Sequence, residues 1–280
     1  MRVTIFGATG LLGKALVHEW LEDEVTPLGS RDADIRSTDQ VQSAVARHRP
    51  EWIVLAAAYT DVDGCEGHRQ LAFEVNCEGA ARVAQAAVEY SSRLLFLSTD
   101  YVFSGEKTTP YEIDDPPAPQ SVYGQSKADA EKRIREIFPA ACTLRTSWVF
   151  GVGGRCFPDT ILKLAASRKE LEVVNDQRGC PTYTVDLART IIQLCRKGAT
   201  GTVHATNSGD CSRFDFASEI IRRAKLPVEV RPAASHKFVR PAKRPPYSVL
   251  SSSSLLAYRI VMPPWQDALQ RYLIERGVKG

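Results

Sequence analysis

Tyr123 and Lys127 stand four positions apart in Tyr123-Gly124-Gln125-Ser126-Lys127. On a helix that spacing puts both side chains on one face. A free phenol, with a pKa of about 10, exchanges protons poorly near neutral pH. A nearby ammonium favours the phenolate and lowers that value. A hydroxyl joins the pair where the apolar run Leu94 to Leu97 ends in Ser98-Thr99-Asp100. Thr99, Tyr123 and Lys127 together suit the reduction of a carbonyl, with two hydroxyls for the oxygen and one of them as proton donor. The Tyr–Lys spacing also occurs on ordinary solvated helices, so the set needs support from elsewhere in the chain.

That support comes from Gly7-Ala8-Thr9-Gly10-Leu11-Leu12-Gly13, a glycine loop between the β-rich run Arg2 to Phe6 and a helix-like stretch from Leu11. Gly7 permits a tight turn, Gly10 lets the backbone approach a pyrophosphate, and Gly13 allows close packing of helix on strand. The helix N-terminus adds N–H donors and a positive dipole. A dinucleotide is the expected ligand. The second strand ends in Gly29-Ser30-Arg31, a hydroxyl followed by a guanidinium. An acid at that point would accept from a ribose 2′-hydroxyl. Ser30 and Arg31 better suit the 2′-phosphate of NADP, although Asp32 and Asp34 leave NADH possible.

The elements that must position these groups alternate. Strand-like runs lie at Arg2 to Phe6, Val25 to Gly29, Trp52 to Ala57, Arg93 to Leu97 and Cys142 to Arg145. Helical patterns start at Leu11, at Thr38, over Leu71 to Tyr90, and over Tyr123 to Ile137. Apolar strands alternating with helices imply an α/β, Rossmann-like doubly wound parallel sheet covered on both faces. After Gly151 the pattern shifts. Phe157 to Ser167, Thr184 to Arg196 and Arg213 to Ala224 read as helices, Leu171 to Tyr183 as a short strand and turn, and Thr202 to Asn207 as a last sheet strand, while residues 227–264 are rich in proline. The expected division is a dinucleotide-binding domain of residues 1–150 with 184–207, and a smaller substrate-binding lobe of 151–183 with 208–280.

Composition bounds the partners. The 280 residues carry a net charge of +3 and are 44% hydrophobic, which fits a folded globular chain and speaks against a nucleic-acid polymer as partner. The excess is local. Between Arg222 and Pro245 eight basic residues face the single acid Glu229, a segment suited to a diphosphate linker. Apolar runs fall short of the ~18 residues of a membrane span, so no membrane partner is expected. Arg2 leads straight into a strand without a secretory-signal pattern, and the seven cysteines are scattered. A cytoplasmic location with reduced thiols is expected, and no metal site.

Several stretches, in order along nearly the whole chain, carry a family resemblance. They are Ala57-Ala58-Tyr59-Thr60-Asp61-Val62-Asp63 with Glu66, Ser98-Thr99-Asp100-Tyr101-Val102-Phe103, and Val122-Tyr123-Gly124 with Lys127. Arg145-Thr146-Ser147-Trp148-Val149-Phe150 follows, then Asn175-Asp176-Gln177 with Gly179, Pro181 and Thr182, and Arg244-Pro245 with Ser248 and Leu250. The sequence thereby resembles the extended short-chain dehydrogenases/reductases, and within them the dTDP-4-dehydrorhamnose reductases. The resemblance implies NADPH-dependent reduction of the C4 ketone of a nucleotide-linked 4-keto-6-deoxy sugar. Thr99 would bond the substrate carbonyl, Tyr123 would protonate the developing alkoxide, and Lys127 would hold the nicotinamide ribose. Asp34 and Ile35 would line the adenine site. Ala56, Ala57, Ala58, Tyr59, Asn76 and Ser98, with Thr9, Leu11 and Leu12 of the glycine loop, would complete the cofactor contacts. Trp148 would pack on the sugar or the base, and Gln177 and Arg244 would face the diphosphate. Asp100, Tyr101, Val102, Phe103 and Phe157 would join them around the substrate. Some relatives bridge a dimer through magnesium, but the corresponding positions here are Ala15 and Val185, so a monomer or a plain homodimer is expected. Two other readings stay open. One is a non-catalytic NADP-binding regulatory subunit like that of methionine adenosyltransferase; the other is a reductase or epimerase acting on a different nucleotide sugar.

Overall fold

A computed structural model describes residues 1–278. Its centre is a six-stranded sheet made of β1 (Arg2–Phe6), β2 (Glu24–Leu28), β3 (Trp52–Leu55), β4 (Arg93–Thr99), β5 (Cys142–Thr146) and β10 (Gly201–His204), in the order β10-β5-β4-β3-β1-β2. Every pairing is parallel. Strands covered on both faces need apolar side chains on both, and all four residues of β3 and all five of β5 are buried. The helices α1 (Leu11–Glu19) and α8 (Thr184–Arg196) lie on one face, packed in one core with Val3, Leu95 and Leu144. On the other face α2 (Thr38–His48), α5 (Ala80–Glu89) and α6 (Val122–Ile137) close a second core around Phe6, Ile53 and Phe96. Strand order reverses between β1 and β3, and in such sheets ligands bind at that switch point, beyond the carboxyl ends of the strands.

The helix expected over Leu71 to Tyr90 is not continuous. After the short α3 (Val62–Gly67) and α4 (Arg69–Phe73), residues Glu74–Gly79 form a π-helical turn that leads into α5. Asn76 lies in this wide turn and accepts from Tyr59 N at 2.8 Å, while its Nδ2 donates to Tyr59 O at 3.1 Å and to Ser126 Oγ at 3.0 Å. The widened turn coincides with a side chain that ties the loop after β3 to α6.

The smaller lobe holds three two-stranded pairs: β6 (Val149–Phe150) with β9 (Thr182–Tyr183), β7 (Glu170–Val174) with β12 (Glu229–Ala233), and β8 (Arg178–Gly179) with β11 (Cys211–Ser212). Around them pack α7 (Phe157–Ala165), α9 (Arg213–Arg223) and α11 (Trp265–Glu275). Sequence reading missed α11, although Trp265, Ala268, Leu269, Tyr272 and Leu273 recur at helical spacing and are all buried. One boundary shifts. Residues around the short α10 (Ser253–Leu256) were assigned to the small lobe, but Leu255, Ile260 and Met262 pack into the sheet core, and Ser254 Oγ accepts from His204 N at 2.9 Å. Their apolar side chains cover the β10 edge, which the proline-rich pattern did not reveal.

The basic segment expected to suit a diphosphate linker is largely paired with carboxylates. Arg222 and Arg223 pair with Glu219, Arg231 with Glu170 and Glu229, Lys237 with Glu172, and Arg240 and Arg244 with Asp63. Folding brings carboxylates from distant parts of the chain to four of the eight cations, and Glu219, one helical turn away, holds two more, so the local excess is largely compensated. All seven cysteines are buried and unbridged. Among the described residues, no helix is long and apolar enough to cross a membrane.

Candidate active site

A cavity of about 780 Å³ runs along the carboxyl ends of β1–β5 and under the small lobe. At one end lies the glycine loop. Gly7 has φ of +89° and donates its N–H to Leu28 O at 2.9 Å; a Cβ on it would lie 2.4 Å from Ala57 N. A Cβ on Gly13 would lie 2.1 Å from Gly7 O, so α1 can approach β1 this closely only with glycine. No side chain caps the first turn of α1, which leaves its N–H groups open for an anion. Gly7, Thr9, Gly10, Leu11, Leu12 and Gly13 all line the cavity.

The end of β2 departs from expectation. Ser30 lines the cavity, but Arg31 does not, and the guanidinium in the wall is that of Arg36. Arg36 binds the Asp34 carboxylate through Nε and Nη2, the latter at 2.6 Å. That pairing holds the Asp34 carboxyl below its ordinary value. Asp32 accepts from Gly29 N at 2.8 Å and so braces the turn. Ile35, Ala56, Ala57, Ala58 and Tyr59 lie in the wall as expected. Asn76 does not; it is buried beneath the wall and holds Tyr59 and Ser126 as described.

The chemical centre sits where β4 and α6 meet. Ser121 caps α6 by accepting from Gly124 N at 3.2 Å, and Glu66 accepts from Val122 N at 2.8 Å. Two side-chain acceptors thus fix the first turn of the helix that carries Tyr123. Thr99 Oγ1 accepts from Tyr101 N at 3.2 Å and donates to Asp100 Oδ1 at 3.0 Å. Thr99, Tyr123 and Lys127 all line the cavity, as expected. Lys127 Nζ donates to Leu97 O at 2.5 Å and lies 4.0 Å from the centroid of the Phe96 ring. Burial pushes its ammonium down to about 7, against the pull of Glu131. The expected lowering of the phenol by Lys127 is not found. Burial raises the Tyr123 pKa, offset only in part by a hydrogen bond with Thr99. A phenol that keeps its proton is the form needed to donate one.

Behind Lys127 lies a buried ionic group. Glu131 accepts from Arg145 Nη2 at 2.7 Å and from Ser98 Oγ at 2.5 Å, and both charged side chains are 2% exposed. On the substrate side, Asp100 Oδ2 and Thr146 Oγ1 are buried without a partner, and both residues line the cavity. Burial raises the Asp100 carboxyl to about 6.

Other substrate-side expectations divide. Tyr101, Trp148 and Phe157 are in the wall. Val102 and Phe103 turn away into a core with Tyr111 and Leu250, Phe103 stacking on Tyr111 at 4.1 Å, because the 3-10 turn Asp100–Val102 reverses the chain. Gln177 lies outside the wall, and its backbone carbonyl accepts from Arg213 N at 3.3 Å. Arg244 is also outside it, paired with Asp63 at 2.6 and 2.8 Å. Sequence reading missed Arg36, Thr146, Ser147, Arg155 and Arg213, which do line the cavity. Trp148 has φ of +44°, rare for a bulky residue. Its indole lies against Gly179, where a Cβ would come within 2.5 Å of Cε2.

A parallel nucleotide-binding sheet, a glycine loop at its first helix, and a Tyr–Lys pair beside a strand-end hydroxyl define a short-chain dehydrogenase/reductase of the extended kind. The chain belongs to the family described as the RmlD substrate binding domain, whose model matches residues 1–277. It is 42% identical to a probable dTDP-4,6-dihydroxy-2-methyloxan-3-one 4-ketoreductase of Streptomyces antibioticus, over 96% of this chain and 94% of that one. It is 38% identical to a dTDP-4-dehydrorhamnose reductase of Mycobacterium tuberculosis, over 96% and 91%. Among solved structures, the dTDP-4-dehydrorhamnose reductase of Bacillus anthracis in complex with NADP is 39% identical, with a TM-score of 0.95 over 98% of this chain and 99% of that one.

Proposed function

We propose that the protein reduces the C4 ketone of dTDP-4-dehydrorhamnose with NADPH to give dTDP-L-rhamnose, a nucleotide sugar for cell-surface polysaccharide. The observation that carries this reading is the Thr99, Tyr123 and Lys127 set in the wall of a cavity that begins at the glycine loop. The similarity to dTDP-sugar reductases along the whole chain supports the substrate class.

The residues fit a dinucleotide, since the uncapped first turn of α1 opens on the cavity that Gly7, Gly10 and Gly13 line. Gly10 to Gly13 would hold the pyrophosphate, Ser30 and Arg36 the 2′-phosphate, and Ile35 the adenine, with Lys127 at the nicotinamide ribose. When bound, the dihydronicotinamide supplies the hydride. Tyr123 donates a hydrogen bond to the ketone oxygen, and Thr99 would donate a second once its hydroxyl turns from Asp100 to the substrate; together they would stabilise the negative charge that develops there. Tyr123 then gives its proton to that oxygen. The substrate lies between the sheet domain and the smaller lobe. We read the protein as a cytoplasmic enzyme acting as a monomer or homodimer.

The test is NADPH oxidation by purified protein given the keto sugar nucleotide. Tyr123→Phe should lower kcat by about 10²- to 10⁴-fold and leave NADPH binding intact. Near-normal turnover by that variant would overturn the mechanism. No oxidation by the wild type, with stable co-purification of another protein, would favour a regulatory subunit.

A further inference from the structure

Arg213 opens α9 and lies in the cavity wall. Its guanidinium carbon sits 3.4 Å from the centroid of the Trp148 ring and 5.0 Å from that of Phe157. Among the described residues no carboxylate lies within 4.0 Å of it, whereas most arginines around it are paired. Its backbone N–H is used by Gln177, but none of its side-chain N–H groups meets an acceptor among the described residues. A guanidinium stacked flat on an aromatic ring keeps its donors in the plane, directed outward. Trp148 therefore holds the group in place without satisfying it.

The charges nearby leave a deficit. Arg213 and Arg244 both act on Tyr101, and each feels the other. Asp63 already neutralises Arg244. Asp100 is the carboxyl that acts most on Arg213, but it does not reach ion-pair distance among the described residues. A guanidinium crowded by protein and lacking a counter-ion is costly unless a ligand supplies one. The proposed cofactor has a separate set of anion donors, the open N–H groups where α1 begins. There the 151–155 loop lies over the glycine loop, Lys14 donating to Gly153 O at 2.6 Å, and brings Arg155 into the wall.

We propose that Arg213, and not the paired Arg244, is the cationic contact for the diphosphate of the nucleotide-linked substrate, with Trp148 and Phe157 as its platform. This rests on the nucleotide-sugar reading and assigns to that reading its anion site. The stacked face of Trp148 is then closed to the nucleotide base, and the indole serves to orient the guanidinium.

Calorimetric titration of the NADPH-loaded protein with dTDP and with thymidine tests the assignment. Wild type should bind dTDP more tightly than thymidine. Arg213→Met should weaken dTDP by about tenfold or more, as expected for a lost charge-assisted contact. It should leave thymidine and NADPH affinities unchanged, which also shows that the variant folds. Arg213→Lys should recover part of the loss. Unaltered dTDP affinity in Arg213→Met, with the wild-type preference intact, overturns the proposal alone. A loss confined to NADPH does the same and moves Arg213 to the cofactor. A wild type with no preference for dTDP over thymidine removes the nucleotide-sugar reading and this proposal with it.

Discussion

Gly179→Ala is a one-carbon change outside the cavity that should disable the substrate side of the site. A Cβ at Gly179 would stand 2.5 Å from Trp148 Cε2, 2.6 Å from Nε1 and 2.8 Å from Cζ2. Carbon atoms rest at about 3.5 Å or more, so the indole must shift by about 1 Å. The Trp148 backbone cannot follow freely. It lies at φ +44°, its carbonyl accepts from Thr182 N at 3.2 Å, and the next residue pairs with Thr182 in β6–β9. Arg213 is already at contact distance from the ring and must move as well. Overpacking of this kind destabilises by about 1–3 kcal/mol. A displacement of about 1 Å at a positioning residue lowers rates by up to about 10²-fold. The expected result is a kcat/KM for the keto sugar nucleotide lowered by about 10- to 100-fold, with the KM for NADPH changed far less, since Trp148 and Arg213 are not among the residues proposed to hold the cofactor. Steady-state NADPH oxidation measures both. Wild-type kcat/KM in Gly179→Ala would refute the reasoning, because it would mean that the position of Trp148 does not matter to the substrate.

Three other outcomes are expected. Lys127 falls from 10.5 to about 7 on folding, so between those values the unfolded chain binds more protons and stability rises with pH. Its destabilising effect is full below pH 7 and gone above about 10.5, so Lys127→Met should gain about 2–4 kcal/mol in urea denaturation at pH 6 and nothing at pH 11. Arg145→Ala should lose about 3–5 kcal/mol in the same assay, because it leaves Glu131 charged and unpaired in the core; a loss below about 1 kcal/mol would show that Glu131 finds another partner. Arg36→Ala should raise the KM for NADPH by about tenfold and leave that for NADH unchanged, as expected if a charge-assisted fork on the 2′-phosphate is lost. Equal effects on the two cofactors would place Arg36 elsewhere.

The parallel sheet was legible because a fully buried strand such as Trp52–Leu55 requires a run without polar alternation, whereas Cys142–Thr146 alternates and buries Arg145 against its partner Glu131. The glycine loop was legible because close approach of α1 to β1 leaves no room for a side chain. The reading failed where a role depends on which distant residue comes near. Arg31 and Arg36 are both arginines following the same strand, and only the path of the 29–36 turn puts one of them in the wall. Val102 and Phe103 sit in the same sequence stretch as Thr99, yet a 3-10 turn sends them into the core. The basic segment looked like an anion site because its carboxylate partners, Asp63, Glu170, Glu172 and Glu219, lie outside it in sequence.

Local spacing pointed to the kind of fold and to the residues that share one wall, since residues four apart on a helix share a face and a hydroxyl at the end of a buried strand emerges at the sheet's carboxyl edge. Tertiary structure alone decided which charges remain available. Pairing depends on distances across the fold: Asp63 takes Arg244 from 181 positions away, and Arg213, stacked on Trp148, has no ion-pair partner among the described residues. A cation's sequence neighbours do not reveal whether folding will give it a counter-ion, and at this site that decides where an anionic substrate can bind.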